Sequence, residues 1–136
     1  MKKNVKTGVC ARNGEEISFN FYTTLRAVDK IKFVNSVTDL LVGDNYNSVI
    51  RDLVFDYEII NTFTDVDVSD IQNSKTNAIN LIEDLLEETN IVEIVKANVE
   101  AGLIEELRRA VNENIEYKTG IHKNPINESL SRLIDT

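Results

Sequence analysis

Tryptophan is absent from this 136-residue chain, and cysteine, histidine and proline each occur once. A single cysteine, Cys10, cannot close an internal disulfide or by itself build a thiolate zinc site. A single histidine, His122, leaves no Glu-x-x-His metal motif at helical spacing. Gly8, Gly14, Gly43, Gly102 and Gly120 stand isolated, so no glycine-rich phosphate loop is present and nucleotide chemistry has no support. No run of about 18 apolar residues predicts a membrane span. The opening MKKNVKTGVCARNGEE lacks the apolar stretch and small-residue cleavage site of a secretory leader.

Hydrophobic residues make up 42% and charged residues 28%, close to the globular norm, so a folded soluble protein is expected. The length fits one domain spanning 1–136, with enough chain to bury a core without disulfide or metal staples. The net charge of −8 is unevenly spread. Lys2, Lys3, Lys6 and Arg12 fall in the first twelve positions without an acid, leaving 11 of the 15 bases against all 23 acids downstream. A basic arm with hairpin, 1–23, thus precedes an acidic body, 24–136. Opposite potentials steer and register contacts, so Lys2, Lys3, Lys6 and Arg12, with Tyr22 on the hairpin's outer face, are the candidate subunit contacts. Nucleic-acid binding by the acidic body is disfavoured, because phosphate neutralisation needs clustered Lys and Arg.

Asn13-Gly14 predicts a tight hairpin turn, since both residues tolerate positive φ. After it Ile17, Phe19 and Phe21 alternate with polar residues, placing an apolar trio on one strand face that helices must cover. A two-stranded hairpin is marginal alone in water, so helices supply the cover or a further strand comes from another chain. From Thr24 the period lengthens. Leu25, Val28, Ile31, Val34, Val37 and Leu41 predict the inner stripe of a first helix with Gly43 as its C-terminal cap. Asn47 is a candidate cap for a second helix through Val49, Ile50, Leu53, Val54, Tyr57 and Ile60, although 53–63 also has the β-branched and aromatic content of a strand.

SDIQ at 69–72 matches a capping box and predicts a third helix running on through Ile82 to Leu86. Asn90 and Glu93 repeat the device for a fourth segment, which Gly102 breaks or kinks. Leu103, Leu107, Val111 and Ile115 continue toward Tyr117, where Gly120 suits a helix end. Asn124 and Pro125 then start a last short helix with Ile126, Leu130, Leu133 and Ile134 inside. The expected fold is α+β and mostly helical, an N-terminal β-hairpin packed on about five antiparallel helices.

Chemistry is sought among the acids and the two single residues. Asp65, Asp67 and Asp70 would need glycine where Asp70 stands and glutamate where Thr76 stands to make a calcium loop, so a helix start explains them better. The pairs Glu83-Asp84, Glu87-Glu88 and Glu105-Glu106 fall on polar helix faces and read as a solvated surface. A Cys10–His122 pairing spans more than a hundred residues and has no sequence support. No catalytic, cofactor-binding or metal-binding residue, no cofactor and no small-molecule substrate is therefore expected.

With its hairpin leading through TTLRAVDKIKFVNSVTDLLV into an acidic helical body ending AVNENIEYKTGIHKNPINESLSRLI, the chain resembles small structural and assembly proteins of tailed bacteriophages. These include tail-assembly chaperones, head-to-tail connectors and minor virion components. The resemblance implies a non-enzymatic protein acting through contacts with copies of itself or other phage structural proteins, in the host cytoplasm during assembly or in the virion. The other function class the acidity allows is a small anti-defence inhibitor whose 83–106 surface binds a basic host protein.

Overall fold

Asn13 and Gly14 take φ values of 54° and 80°, the paired left-handed geometry whose twist matches a hairpin. In the computed structural model, which describes residues 4–41, 50–74 and 76–121, they join β1 (Val5–Arg12) to β2 (Glu15–Tyr22). The strands are antiparallel, with Arg12 opposite Glu15 and Val5 opposite Tyr22. Gly8 and Cys10 on β1 and Phe19 and Phe21 on β2 face the helices and are buried, as period-two alternation requires. Glu88 accepts a hydrogen bond from the Asn13 amide and ties the turn to the helical layer.

Six helices follow among the described residues: α1 (Ala27–Leu41), α2 (Arg51–Phe63), the single turn α3 (Ser69–Gln72), α4 (Ala78–Glu88), α5 (Ile91–Asn98) and α6 (Leu103–Ile121). The mostly helical α+β class holds. Residues 53–63 are helix, and their ambiguity has a physical cause. α2 packs against α1, α4 and α5, and buries Val54, Phe55, Tyr57, Glu58, Ile59, Ile60 and Phe63, so little polar face remains to mark its period. Phe33 of α1 meets Phe55 and Phe63 edge-on, with centroids 5.2 and 6.4 Å away, at the centre of the core.

Several sequence expectations shift. The α1 stripe is rotated: Phe33, Val37, Thr38 and Leu41 are buried, whereas Val28 and Ile31 are 55% and 60% exposed. Three-residue steps each fall about 60° short of a full turn, so a series from 28 to 37 wraps half-way round the helix. The helix expected from Ser69 onward divides into α3 and α4, because Ser74 Oγ accepts the Asn77 amide at 3.0 Å, a local bond that competes with the helical ladder. Ser69 does not cap. Asp67 Oδ1 accepts the Ser69 amide at 2.9 Å, and Gln72 donates to Asn61 instead of reaching back. Asn90 occupies the N-cap of α5 without a side-chain cap bond. Gly102, at φ 83°, separates α5 from α6. α6 continues past Gly120 to Ile121 and does not stop there; a glycine within a helix costs only about 1 kcal/mol. Gly43, Asn47, Val49, and the Asn124-Pro125 start with its last helix lie outside the described residues.

One helix pair departs from the antiparallel expectation. Lys30 pairs with Glu106 at 3.0 Å, Asn114 donates to Thr38 Oγ1 at 3.0 Å, and Lys118 reaches Asp39 at 3.3 Å. The two sequences advance together along the contact, so α1 and α6 run parallel. Between them the chain passes through the four other helices of the described residues.

Candidate functional site

Of the residues nominated as subunit contacts, Lys2 and Lys3 lie outside the described residues. Lys6 and Arg12 share the inward-facing register of β1 and bind this chain's own body. Lys6 Nζ donates to Asn98 Oδ1 at 3.3 Å, while Arg12 donates to the Asp67 carbonyl at 2.8 Å and lies 4.0 Å from Asp70. Their charge therefore seats the hairpin on the helices. Tyr22 is half-buried on the outer face, across from Val5.

The three aspartates go separate ways. Both Asp65 oxygens accept from Asn20, Asp67 accepts the Ser69 amide, and Asp70 faces Arg12. The Ser69 backbone bond holds the Asp67 carboxyl below its ordinary pKa. Among the described residues no group of three or more His, Cys, Asp or Glu side chains is placed to hold a metal ion. Cys10 is buried, and burial pushes its thiol pKa up against a smaller opposing effect of Arg12, which is the reverse of nucleophile activation. His122 lies outside the described residues.

The acids between 83 and 106 all reach solvent. Glu83, Asp84, Glu87 and Glu88 on α4, Glu93 on α5, Glu100 in the link between α5 and α6, and Glu105 and Glu106 on α6 are all exposed. Lys96, the single base of this segment, lies 3.3 Å from Asp56 of α2 and so neutralises an acid outside it. Like charges spread over exposed helix faces form a negative field and not a pair with separated pKa values.

The hairpin edges differ. A two-residue turn makes Arg12 and Glu15 a hydrogen-bonded pair, and strict alternation then sends the backbone groups of every second residue outward. On β2 the outward set includes Asn20, whose carbonyl accepts from the Asp65 amide at 3.1 Å and whose amide donates to Asp65 Oδ1 at 2.9 Å. Phe21 forms an antiparallel bridge with Thr64, so that edge is partly covered. On β1 the outward set is Val5, Thr7, Val9 and Ala11, and no amide or carbonyl of these four has a partner among the described residues. All four are exposed, with Val5 and Val9 at 53% and 51%. An open strand edge of this kind is a template for a further strand.

Two residues that sequence reasoning passed over prove structurally particular. Glu58 is only 4% exposed, and burial raises its carboxyl pKa despite hydrogen bonds from Thr62 and Asn61. Its signal was a charge four residues after Val54 on the inner face of α2. Gly8 lies under the Phe19 ring, an approach that no local pattern announces.

Among the described residues no helix is long and apolar enough to cross a membrane. No family model, no curated protein and no solved structure matches this chain.

Proposed function

We infer that the chain is a non-enzymatic contact protein of a tailed-phage particle or its assembly, working through strand addition at the open edge of β1. The backbone groups of Val5, Thr7, Val9 and Ala11, without a partner among the described residues, carry this reading. Main-chain hydrogen bonds supply affinity to an added strand, and the exposed Val5 and Val9 side chains supply an apolar face for its neighbours. The phage assignment itself comes from the resemblance in sequence. Partners are other copies of this chain or other phage structural proteins.

Light scattering coupled to size-exclusion chromatography, with the protein alone and mixed with purified phage structural proteins, tests the reading. Oligomers or complexes that dissolve in a Val9→Lys, Ala11→Lys variant support it, because edge charges block strand addition. A strictly monomeric protein that binds none of them refutes it.

The exposed acids of α4, α5 and α6 favour a second reading, an acidic inhibitor of a basic host protein. In that case a purified basic host nuclease binds at low salt, loses affinity as salt rises, and is indifferent to the β1 edge variant.

A further inference from the structure

An open groove of about 520 Å³ lies between the C-terminal half of α1 and α2, α3 and α4, within the size range of small-molecule sites. Val54, Ile71 and Ile82 form buried walls, and Leu40 and Ile79 stand at 56% and 41% exposure beside them. Glu58 also lines it. Thr62 Oγ1 and Asn61 Nδ2 both donate to its Oε2, at 2.7 and 3.2 Å, while its Oε1 accepts no hydrogen bond among the described residues. Gln72 donates to Asn61 Oδ1 at 3.0 Å, so a chain of three side chains from α2 and α3 fixes the carboxyl in place.

The charged side chains among its described lining residues are both acids, Asp39 and Glu58. No Lys, Arg or His is among its described lining residues, and Asp39 is paired with Lys118 at 3.3 Å. A buried carboxylate ordinarily has a counter-charge. Here the orienting hydrogen bonds are in place and no described residue supplies the counter-charge, in a groove whose walls are mostly apolar.

We propose that this groove binds a small apolar molecule carrying one primary ammonium group, which donates to Glu58 Oε1 while its body covers the exposed Leu40 and Ile79. The site is independent of strand addition at β1. A charge-assisted hydrogen bond of this kind selects an ammonium over a neutral donor of the same shape by about tenfold or more.

The test is an amide-resolved NMR titration with n-hexylammonium and with 1-hexanol, on the wild type and on Glu58→Gln, near neutral pH. Expected are shifts on α2 and α4, n-hexylammonium binding about tenfold or more tighter than the alcohol, and loss of that preference in Glu58→Gln with hexanol affinity unchanged. Should Glu58→Gln fail to fold, Ile79→Lys sets a cation at the exposed rim and lowers ammonium affinity more than alcohol affinity. Equal binding of amine and alcohol by the wild type overturns the proposal. So does an amine affinity indifferent to these substitutions, which marks general attraction to an acidic protein, and so does binding of neither probe.

Discussion

Replacing Gly8 with alanine puts the packing of the hairpin on the helices to a sharp test. A Cβ at this position would lie 2.8 Å from Cζ and 3.1 Å from Cε1 of Phe19, the residue directly opposite on β2, and 3.2 Å from Cγ2 of Ile94 on α5. The Phe19 ring has little room to yield, since it is 3% exposed and its centroid sits 5.8 Å from that of Phe21. Overpacking a filled core costs about 1–3 kcal/mol. Against this, exchanging glycine for alanine where the backbone permits it stabilises by about 0.4–1 kcal/mol, through the unfolded chain. The overpacking cost wins, for a net loss of about 1 kcal/mol. Urea unfolding followed by circular dichroism measures it as a lower midpoint at unchanged slope. The same substitution in a Phe19→Leu background, where the far ring atoms are gone, becomes neutral or stabilising, a coupling of about 1–2 kcal/mol. A neutral Gly8→Ala in the wild type, or an equal cost in both backgrounds, refutes the close-approach argument.

Three further outcomes follow from the helical layer. Phe33→Ala empties the site between Phe55 and Phe63 and lowers stability by about 3–5 kcal/mol in denaturant titrations, whereas Val28→Ala, on the exposed face of α1, changes it by less than about 0.5 kcal/mol. Arg108 stacks over Phe55 with its guanidinium carbon 4.3 Å from the ring centroid and also pairs with Asp52 at 2.9 Å; because Asp52 is 82% exposed and the ring contact is not, Arg108→Ala costs about 1 kcal/mol and Asp52→Ala less, in thermal unfolding. Burial raises the Glu58 pKa above its ordinary 4.5, so the folded state holds that proton more tightly than the unfolded chain does. Its contribution to stability is fully present below pH 4.5 and is lost as pH rises through the folded value, so the advantage of Glu58→Gln grows over that range. Parallel urea-midpoint profiles for the two proteins from pH 4 to neutrality would refute this.

The hairpin was legible because three independent signals agree there: Asn13-Gly14 for the turn, period two in Ile17, Phe19 and Phe21, and polar residues between them. α6 was legible in its buried face, since Leu103, Leu107, Val111 and Ile115 keep a four-residue step and are all buried. α2 hid itself by being buried on nearly every side, and α1 misled because its exposed Val28 and Ile31 are as apolar as its core. The sequence puts the N-cap of α3 at Ser69, whereas Val68 holds that position with no side-chain cap bond and Asp67 accepts the Ser69 amide, a choice that only the backbone path decides. Glu58 and Gly8 depend on what other elements bring against them, so a reading limited to local pattern passes over both. The open edge of β1 follows from the turn type and the alternation of the ladder, but that β2 is the edge covered, by Thr64 and Asp65, is a tertiary fact.

The parallel pairing of α1 with α6 bears on how the molecule is made. Lys30 and Glu106 are 76 positions apart, and so are Thr38 and Asn114. During synthesis the hairpin, α1 and α2 leave the ribosome with one flank of α1 bare, and nothing local can close it. Loop closure over such a span is slow relative to helix formation. The nascent chain therefore passes through a long interval in which Leu107, Val111 and Ile115 have yet to arrive and the α1 flank is open to chaperones, proteases or a premature neighbour. Among the described residues, the last step is the laying of α6 alongside α1.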